Sequence, residues 1–582
     1  MTTLTKDLHA CTQPAGDAAL RALVARLASG IDGPRNFEVR VARLTANGWE
    51  KLQALNPTSP INQDSLGNAK DVTLIGIGGV PHVAWIENDG GHDQVRVARL
   101  NASGGWDHLG QTSRPGSPIN VSPGRDASGV SEAFINGQLY VTWTESNGKD
   151  TQVRVARLGA GEAGWDPVGI ALKPAAPVNF DAARSARQPV IASVGGAPTV
   201  AWSEYDGAHW QIRVARLNAA GTGWSRLGTA LKPAAPINYD QTQDGSNPSL
   251  IDVGGTPYVA WLETSSGGAQ VHVARLSTGG RGWEDLGRGT SPVNVGAGGA
   301  TAPSLAQVAG QLWVSWAQDN GTGMRLRVAR LSSDLTRWSE IANAGGLNVN
   351  ASRYASPPSL TTMFDSVPYV AWAENDGTNR EARVARLEPV VTTQNSATDA
   401  NQNINIASTL VTYGLPYKVG FLLSGASTLQ TAPQQVATDP ASVTASVPGL
   451  VPGGSYNVQT YTMMGAGLLT ANAPSAVQVA AITTLRFRTV STAGMRLGAR
   501  KAISFTSTMP GVAHVTVYRG RKKQSVVGRQ VFAIPMAMTA RTFRLRSPHR
   551  VGVYRVRVVV TAAGGRRAQA FFKLVVKRAL PR

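Results

Sequence analysis

The sequence holds a single cysteine, Cys11, so no intrachain disulfide can form and stability has to come from packing. Charge is scarce, at 16% of residues. No segment comes near the roughly 18 consecutive apolar residues that a membrane helix requires. The first thirty residues carry Asp7 and Asp17 and never reach the apolar run of a signal-peptide core. The chain as given therefore reads as soluble, and an exported form would need a leader outside this sequence or an unconventional one. Enzyme signatures are missing too. The eight histidines, at 9, 82, 92, 108, 209, 272, 514 and 549, show no His-Glu-x-x-His or close metal-ligand spacing. There is no Gly-x-Ser-x-Gly elbow and no P-loop. Glycosidase carboxylates meet in space and not along the chain, so a hydrolase stays open. No cofactor and no metal is assigned.

What is present points to β-structure. With 582 residues, several domains are expected. The 63 Gly and 33 Pro, beside abundant Val and Thr, favour short strands joined by turns. The string Val-Ala-Arg-Leu recurs with its Leu at 44, 100, 158, 217, 276, 331 and 387, a period of 55 to 59 residues. Six copies follow an apolar run with a central Trp, at 85, 143, 202, 261, 316 and 372. Six precede a second Trp, at 49, 106, 165, 224, 283 and 338.

One unit, 247 to 287, parses as four strands: A from Pro248 to Val253, B from Tyr258 to Glu263, C from Gln270 to Leu276 and D from Trp283 to Leu286. Such meanders cannot cover both faces alone, whereas a closed ring of blades covers them. The expected fold is all-β: a seven-bladed β-propeller over 1–390, with six blades and a spare hairpin as the competing count, followed by two β-sandwich domains. The first copy is degenerate, with Arg26 in the Trp position. It lacks a clear strand A and the last copy lacks a clear strand D, so the N- and C-terminal strands are expected to close the ring together.

A residue present in every blade is a packing element before it is a catalyst. The strand B Trp and the Arg of Val-Ala-Arg-Leu, such as Trp202 and Arg216, are expected on one face, although a slip of one residue would reverse this. Two residues after the Trp stands an acid: Glu87, Glu145, Glu204, Glu263 and Glu374, with Gln318 in one copy. The following loops supply Asp89, Asp206 and Asp376, and the D to A connections add Asp181 and Asp240. This expected acidic rim is either a ring of shallow ligand sites, for sugars or cations, or a set of solvated turns with Glu paired to the repeat's Arg. The loop Tyr205, Asp206, His209, Trp210 departs from the repeat and is a candidate ligand-binding site of its own.

The pattern Val-Gly-Gly-x-Pro-Tyr-Val-Ala-Trp-x-Glu, then Val-Arg-Val-Ala-Arg-Leu-Asn, seen from Val253 to Leu276 and from Val194 to Asn218, resembles propeller repeats of large exported actinobacterial proteins. That resemblance implies an extracellular or cell-wall-associated location. By architecture alone the repeat is also similar to lectin propellers.

Past the repeats, 391–405 reads as a linker rich in Asn, Thr, Ser and Gln. Residues 395–483 resemble a fibronectin type III domain through Leu450 and the Pro-Gly turn before Tyr456, Val458 and Tyr461. The Tyr should give its ring to the core and its hydroxyl to the backbone. Residues 484–582 hold 22 Lys and Arg and no acid, leaving 34 basic and 36 acidic residues in the rest, so the whole net charge of +20 lies here. This segment resembles an Ig-like sandwich with its Arg on the solvent face. Arg521, Lys522, Lys523, Arg566 and Arg567 are the candidate contacts to an anionic polymer, such as a cell-wall polymer. No aromatic stacking motif accompanies the charge, which argues against specific nucleic-acid recognition.

The leading expectation is a non-enzymatic surface or secreted adhesion protein, with a glycan or protein ligand at the propeller rim and the basic domain on the envelope. The alternative is a propeller glycoside hydrolase or lyase with a site in the central channel. A lone polar cluster that breaks the repeat would favour catalysis, and equivalent pockets between all blades would favour multivalent binding.

Overall fold

Strand B of each repeat is apolar on both faces, and a strand of that kind is stable only between two other sheets. Val83, Ala84, Trp85 and Ile86 are wholly buried, and so are Val200, Ala201 and Trp202. The computed structural model describes residues 8–11, 23–29, 37–45, 48–52, 61–64, 67–110, 119–162, 164–169, 177–228, 237–287, 292–294, 298–341, 347–350, 353–362, 367–375, 380–386, 389–399, 403–436, 439–451, 453–464, 467–470, 474–479, 487–488, 492–507, 511–519, 525–534, 540–562 and 567–578. The chain divides into two compact units, Met1–Leu387 and Glu388–Arg582.

In the first unit seven antiparallel sheets follow one another along the chain, which settles the blade number at seven. Blade 1 spans Leu8–Lys51, blade 2 Ala69–His108, blade 3 Ala127–Pro167 and blade 4 Ala186–Arg226. Blade 5 spans Gly245–Asp285, blade 6 Ser304–Glu340 and blade 7 Ser359–Arg386. Six are meanders in the order A-B-C-D, and blade 7 has three described strands. Strand A of each blade lies against strand A of the next, and strand A of blade 1 lies against strands A and B of blade 7. The seven A strands thus surround a central channel and the ring is closed.

Two expectations differ from this picture. Blade 1 has its own strand A, Leu8–Cys11, paired with Leu23–Ser29. Among the described residues the ring closes by packing blade on blade, and no sheet is built jointly from the two chain ends. The register also reverses one pairing. Trp202 stands opposite Arg213, while Arg216 stands opposite Thr199 and so lies on the other face of the sheet.

Neighbouring blades are latched by the strand D tryptophans. The indole N–H of Trp106, Trp165, Trp224, Trp283 and Trp338 donates to Leu52, Leu109, Val168, Leu227 and Leu286 of the preceding blade, at 3.1 to 3.4 Å. Gly169 shows why glycine follows that carbonyl. Its φ is +75°, and a Cβ there would lie 2.2 Å from Trp224 Nε1.

In the second unit, residues 391–405 are not a linker, since Val390–Thr398 pairs along its length with Ile404–Val411. These strands and Ala441–Val447 form one sheet of a sandwich, and Lys418–Gly425 and Ser455–Met464 are the centre of the other. Ser408 Oγ and Thr460 Oγ1 meet at 2.8 Å between the sheets. Tyr456 is buried, and its hydroxyl accepts the Val451 N–H at 3.0 Å. The second sandwich packs Tyr554, Val556, Val558 and Val560 inward, with Arg555 outward over Phe571 at 3.9 Å. Among the described residues no helix is long and apolar enough to cross a membrane.

Gly169→Ala should destabilise the protein by about 1–2 kcal/mol from left-handed strain and about 1–3 kcal/mol more from overpacking. Gly221, at φ +70° with nothing near its missing Cβ, should show only the first part as Gly221→Ala. Chemical denaturation of both variants checks the difference.

Candidate functional site

The repeated acids are internal. Glu204 Oε2 accepts the Trp202 indole N–H at 2.8 Å and the Phe180 N–H at 2.8 Å, and Oε1 accepts the Asp181 N–H at 3.1 Å. Glu87, Glu145, Glu263 and Glu374 repeat this clamp on Trp85, Trp143, Trp261 and Trp372 and on two consecutive amides each. All five are at most 4% exposed. Burial holds Glu87, Glu204 and Glu263 above the ordinary carboxylate range, and the indole and amide donors offset this only in part. The expected acidic rim loses these residues. Their partner is not the solvated Arg of the repeat but the backbone of the connection that leads into the blade.

A second repeated residue completes each junction and was not singled out from the sequence. Asn238 Oδ1 accepts the Ile212 N–H at 2.8 Å, and its Nδ2 donates to Gln243 and Trp210 carbonyls. Asn62, Asn120, Asn179, Asn294 and Asn348 do the same work. The signal was available as a Pro-Ile-Asn or Pro-Val-Asn tripeptide recurring with the period of the repeat, at 60, 118, 177, 236 and 292.

The B to C loops use their acids on themselves. Asp206 Oδ1 accepts the Ala208 and His209 N–H groups at 2.8 Å, and Asp89 Oδ1 accepts those of Gly91 and His92. Tyr205 Oη donates to Gly207 at 3.0 Å, and its ring lies 5.5 Å from Trp210. The Trp210 N–H donates to Asp244, and the Arg187 guanidinium sits 4.0 Å over the indole. His209 Nδ1 is 3.4 Å from Asp244. Tyr205, Asp206, His209 and Trp210 thus do come together, with Arg187 added. Asp376, Arg521, Lys522, Lys523 and Arg566 lie outside the described residues, and Arg567 is exposed on a strand of the basic sandwich. Among the described residues no group of three or more His, Cys, Asp or Glu could hold a metal ion.

The departures from symmetry lie on the inner strands. Near its start each A strand of blades 2 to 5 carries a bulge, where the register against strand B shifts by one residue. The first bulge residues are Asp71, Gly129, Gln188 and Asn247, all at positive φ between 52° and 62°. They are joined in two pairs. Gly129 N–H donates to Asp71 Oδ2 at 2.8 Å, and Asn247 N–H donates to Gln188 Oε1 at 2.9 Å. Blades 6 and 7 place Ala302 and Pro357 at the corresponding step, so the polar arc covers part of the ring only. The inner strand from Gln188 to Val194, which looks bland in the sequence, contributes one member.

A second carboxyl also breaks the repeat. Glu132 occupies the inner-strand position held by Leu74, Ile191, Leu250, Leu305 and Leu360 elsewhere. It is 5% exposed and neither oxygen makes a well-formed hydrogen bond. Burial pushes its carboxyl well above the usual range, with only the Ala84 N–H opposing. It is a buried acid where blades 2 and 3 meet.

No protein-family model matches the chain, and no curated protein does. Among solved structures it is similar to a mutant Trypanosoma rangeli sialidase with trans-sialidase activity, at 11% identity over 72% of this chain and 86% of that one, TM-score 0.35. It is similar to a Penicillium chrysogenum α-L-arabinanase complexed with arabinobiose, at 13% identity over 50% and 90%, TM-score 0.31. A Fusarium graminearum α-L-arabinofuranosidase gives 11% identity over 55% and 92%, TM-score 0.35. At such identities the likeness concerns the fold alone. The expectation of a non-enzymatic adhesion protein with its ligand at the propeller rim is corrected, because the acids meant to bind that ligand are sealed into the blades.

Glu204→Gln should cost about 2–4 kcal/mol, because an amide turns N–H toward donors that need an acceptor, and circular dichroism melts will register it. Glu132→Leu should instead stabilise by about 1–3 kcal/mol, since an unpaired buried carboxyl is replaced by the residue other blades use. The folded state holds the Glu132 proton more tightly than the unfolded state, so wild-type stability falls as pH rises toward the raised value. Melts at pH 5 and pH 8 should therefore show a larger gain from Glu132→Leu at pH 8.

Proposed function

We propose that the propeller is a glycan-cleaving enzyme with its reaction centre at the channel mouth, on the rim where the B to C loops and D to A connections meet. The observation that carries this reading is the polar arc Asp71, Gly129, Gln188, Asn247, confined to blades 2 to 5. The repeated Trp, Glu and Asn are consumed by packing, so chemistry has to reside in what departs from the repeat. Residues held at positive φ are costly for non-glycine side chains and persist where the surroundings fix them.

Asp71 is the acid in that arc. The Gly129 N–H holds one carboxylate oxygen, which orients the group for proton transfer to or from a glycosidic oxygen or an attacking water. Gln188 has its carbonyl oxygen engaged by Asn247, which leaves its amide hydrogens as the donors it can offer a substrate hydroxyl. Flat rings stand on the same rim for the faces of sugar rings. Trp210 carries Arg187 over it, and Tyr239, 69% exposed, is stacked on His272 at 5.3 Å.

Full-length protein assayed for reducing-end release on a panel of neutral and acidic polysaccharides should cleave at least one. Asp71→Asn keeps a side chain that tolerates positive φ and an acceptor for Gly129. It should lower the rate by about a hundredfold or more with its melting temperature unchanged. Failure to cleave any member, or full activity in the variant, refutes the reading.

A further inference from the structure

On the opposite rim, where A to B and C to D turns meet, grooves run between consecutive blades. The one between blades 2 and 3 encloses about 850 Å³ and the one between blades 3 and 4 about 580 Å³. Their walls correspond: a strand B residue, His82 or Tyr140, and the Val-Ala-Arg-Leu arginine, Arg99 or Arg157, face the next blade's two turns. Their charge does not correspond. In the first groove Arg99 forms an ion pair with Glu162 and lies 3.9 Å from Asp107, and both acids line the groove. The second groove is lined by Arg157 and Arg216 and by no acid.

Two of these arginines, Arg216 and Arg330, break the pattern. The strand D position facing the arginine is Glu50 in blade 1, Asp107 in blade 2, Asp166 in blade 3 and Glu284 in blade 5. Glu50 and Glu284 bond their arginines at 2.7 and 2.9 Å. In blades 4 and 6 the position is Ser225 and Ser339, too short and uncharged, and of the two arginines Arg330 makes another interaction. Arg216 Nε and Nη2 are buried and meet no acceptor, a costly state for a guanidinium. Arg157 on the facing wall is held only loosely, 3.6 Å from Asp166. Asn136 and Asn218 add amides to the walls, with Asn136 Nδ2 donating across to Gly196 at 2.7 Å.

We infer that the groove between blades 3 and 4 is a binding site for the carboxylate of an acidic sugar, with Arg216 its charge partner. Arg216 with no acid partner, beside Arg157 held only loosely by its own, can recognise a planar anion, and Arg matches a carboxylate better than a point charge does. The amides and Tyr140 suit the hydroxyls of the attached ring. The saccharide part of this assignment rests on the glycan reading above, and places uronate-bearing chains among the polymers the propeller takes. The carboxylate part stands on the groove alone.

The test is calorimetric titration of the full chain carrying Asp71→Asn, with D-glucuronate, D-glucose and sulfate. Glucuronate should bind one site per chain at least tenfold more tightly than either of the others. Arg216→Gln should weaken it tenfold or more. Ser225→Glu, which supplies the acid found in blades 1 and 5, should do the same while leaving Arg216 in place and the melting temperature undiminished. Arg99→Gln, in the neighbouring groove, should leave the affinity as it was. Equal binding of glucose, sulfate binding as tight as glucuronate, or affinity surviving in Ser225→Glu overturns the assignment. Glucuronate binding without glycan cleavage by the unmodified chain would support the groove and remove the catalytic reading. Cleavage of neutral chains without glucuronate binding would do the reverse.

Discussion

A four-stranded blade whose second strand is apolar on both sides has nowhere to stand except between two others. Everything else in the propeller follows from that constraint. Burial of the indoles at 85, 143, 202, 261 and 372 to within 1% exposure leaves each N–H needing an acceptor out of water. The Glu two residues on supplies it and has a second oxygen to spare. That oxygen takes an amide from the connection arriving from the blade before, so the residue that completes one blade also fixes the entry into it. The asparagine just upstream ties the same connection back to the blade it has left. Each junction that carries the Glu is thereby a staple with one prong in either blade, made by a few buried residues.

Much of the fold was legible because it depends on periodicity. The recurrence of Val-Ala-Arg-Leu and of two tryptophans gave seven units, and the alternation within 247 to 287 gave strands close to Gly245–Val253, Thr256–Ser265, Gly268–Leu276 and Trp283–Asp285. The roles of the repeated residues were harder to read. Glu204 looks like a rim acid because its Asp-rich surroundings in sequence are turns, while its true partners lie 23 and 24 residues upstream. Pairing of Trp202 with Arg213 instead of Arg216 turns on a register that period-two reasoning leaves free by one step. The polar arc was invisible for a related reason. A bulge displaces Asp71 and Gln188 from the alternation that makes a strand recognisable, and only the closed ring brings positions 58 and 59 residues apart into hydrogen-bonding range.

Symmetry also sorts the charged groups into those that build and those that are available. Where the arginine of the repeat has its acid, as Arg275 has Glu284, the pair is part of the wall. Where blade 4 has Ser225, the arginine's charge is left for something else. Glu132 is the opposite case, a departure from the repeat with no opening to solvent, and it shows that asymmetry alone does not mark a site.

The staples require a connecting peptide, and a ring of seven blades has only six. Among the described residues no chain passes between blade 7 and blade 1, and the two blades share no strand. That seam is held by side-by-side contact of strand A of blade 1 with strands A and B of blade 7. Under mechanical load between its two ends, the propeller would part there first, opening as a split washer does, with the stapled junctions still intact.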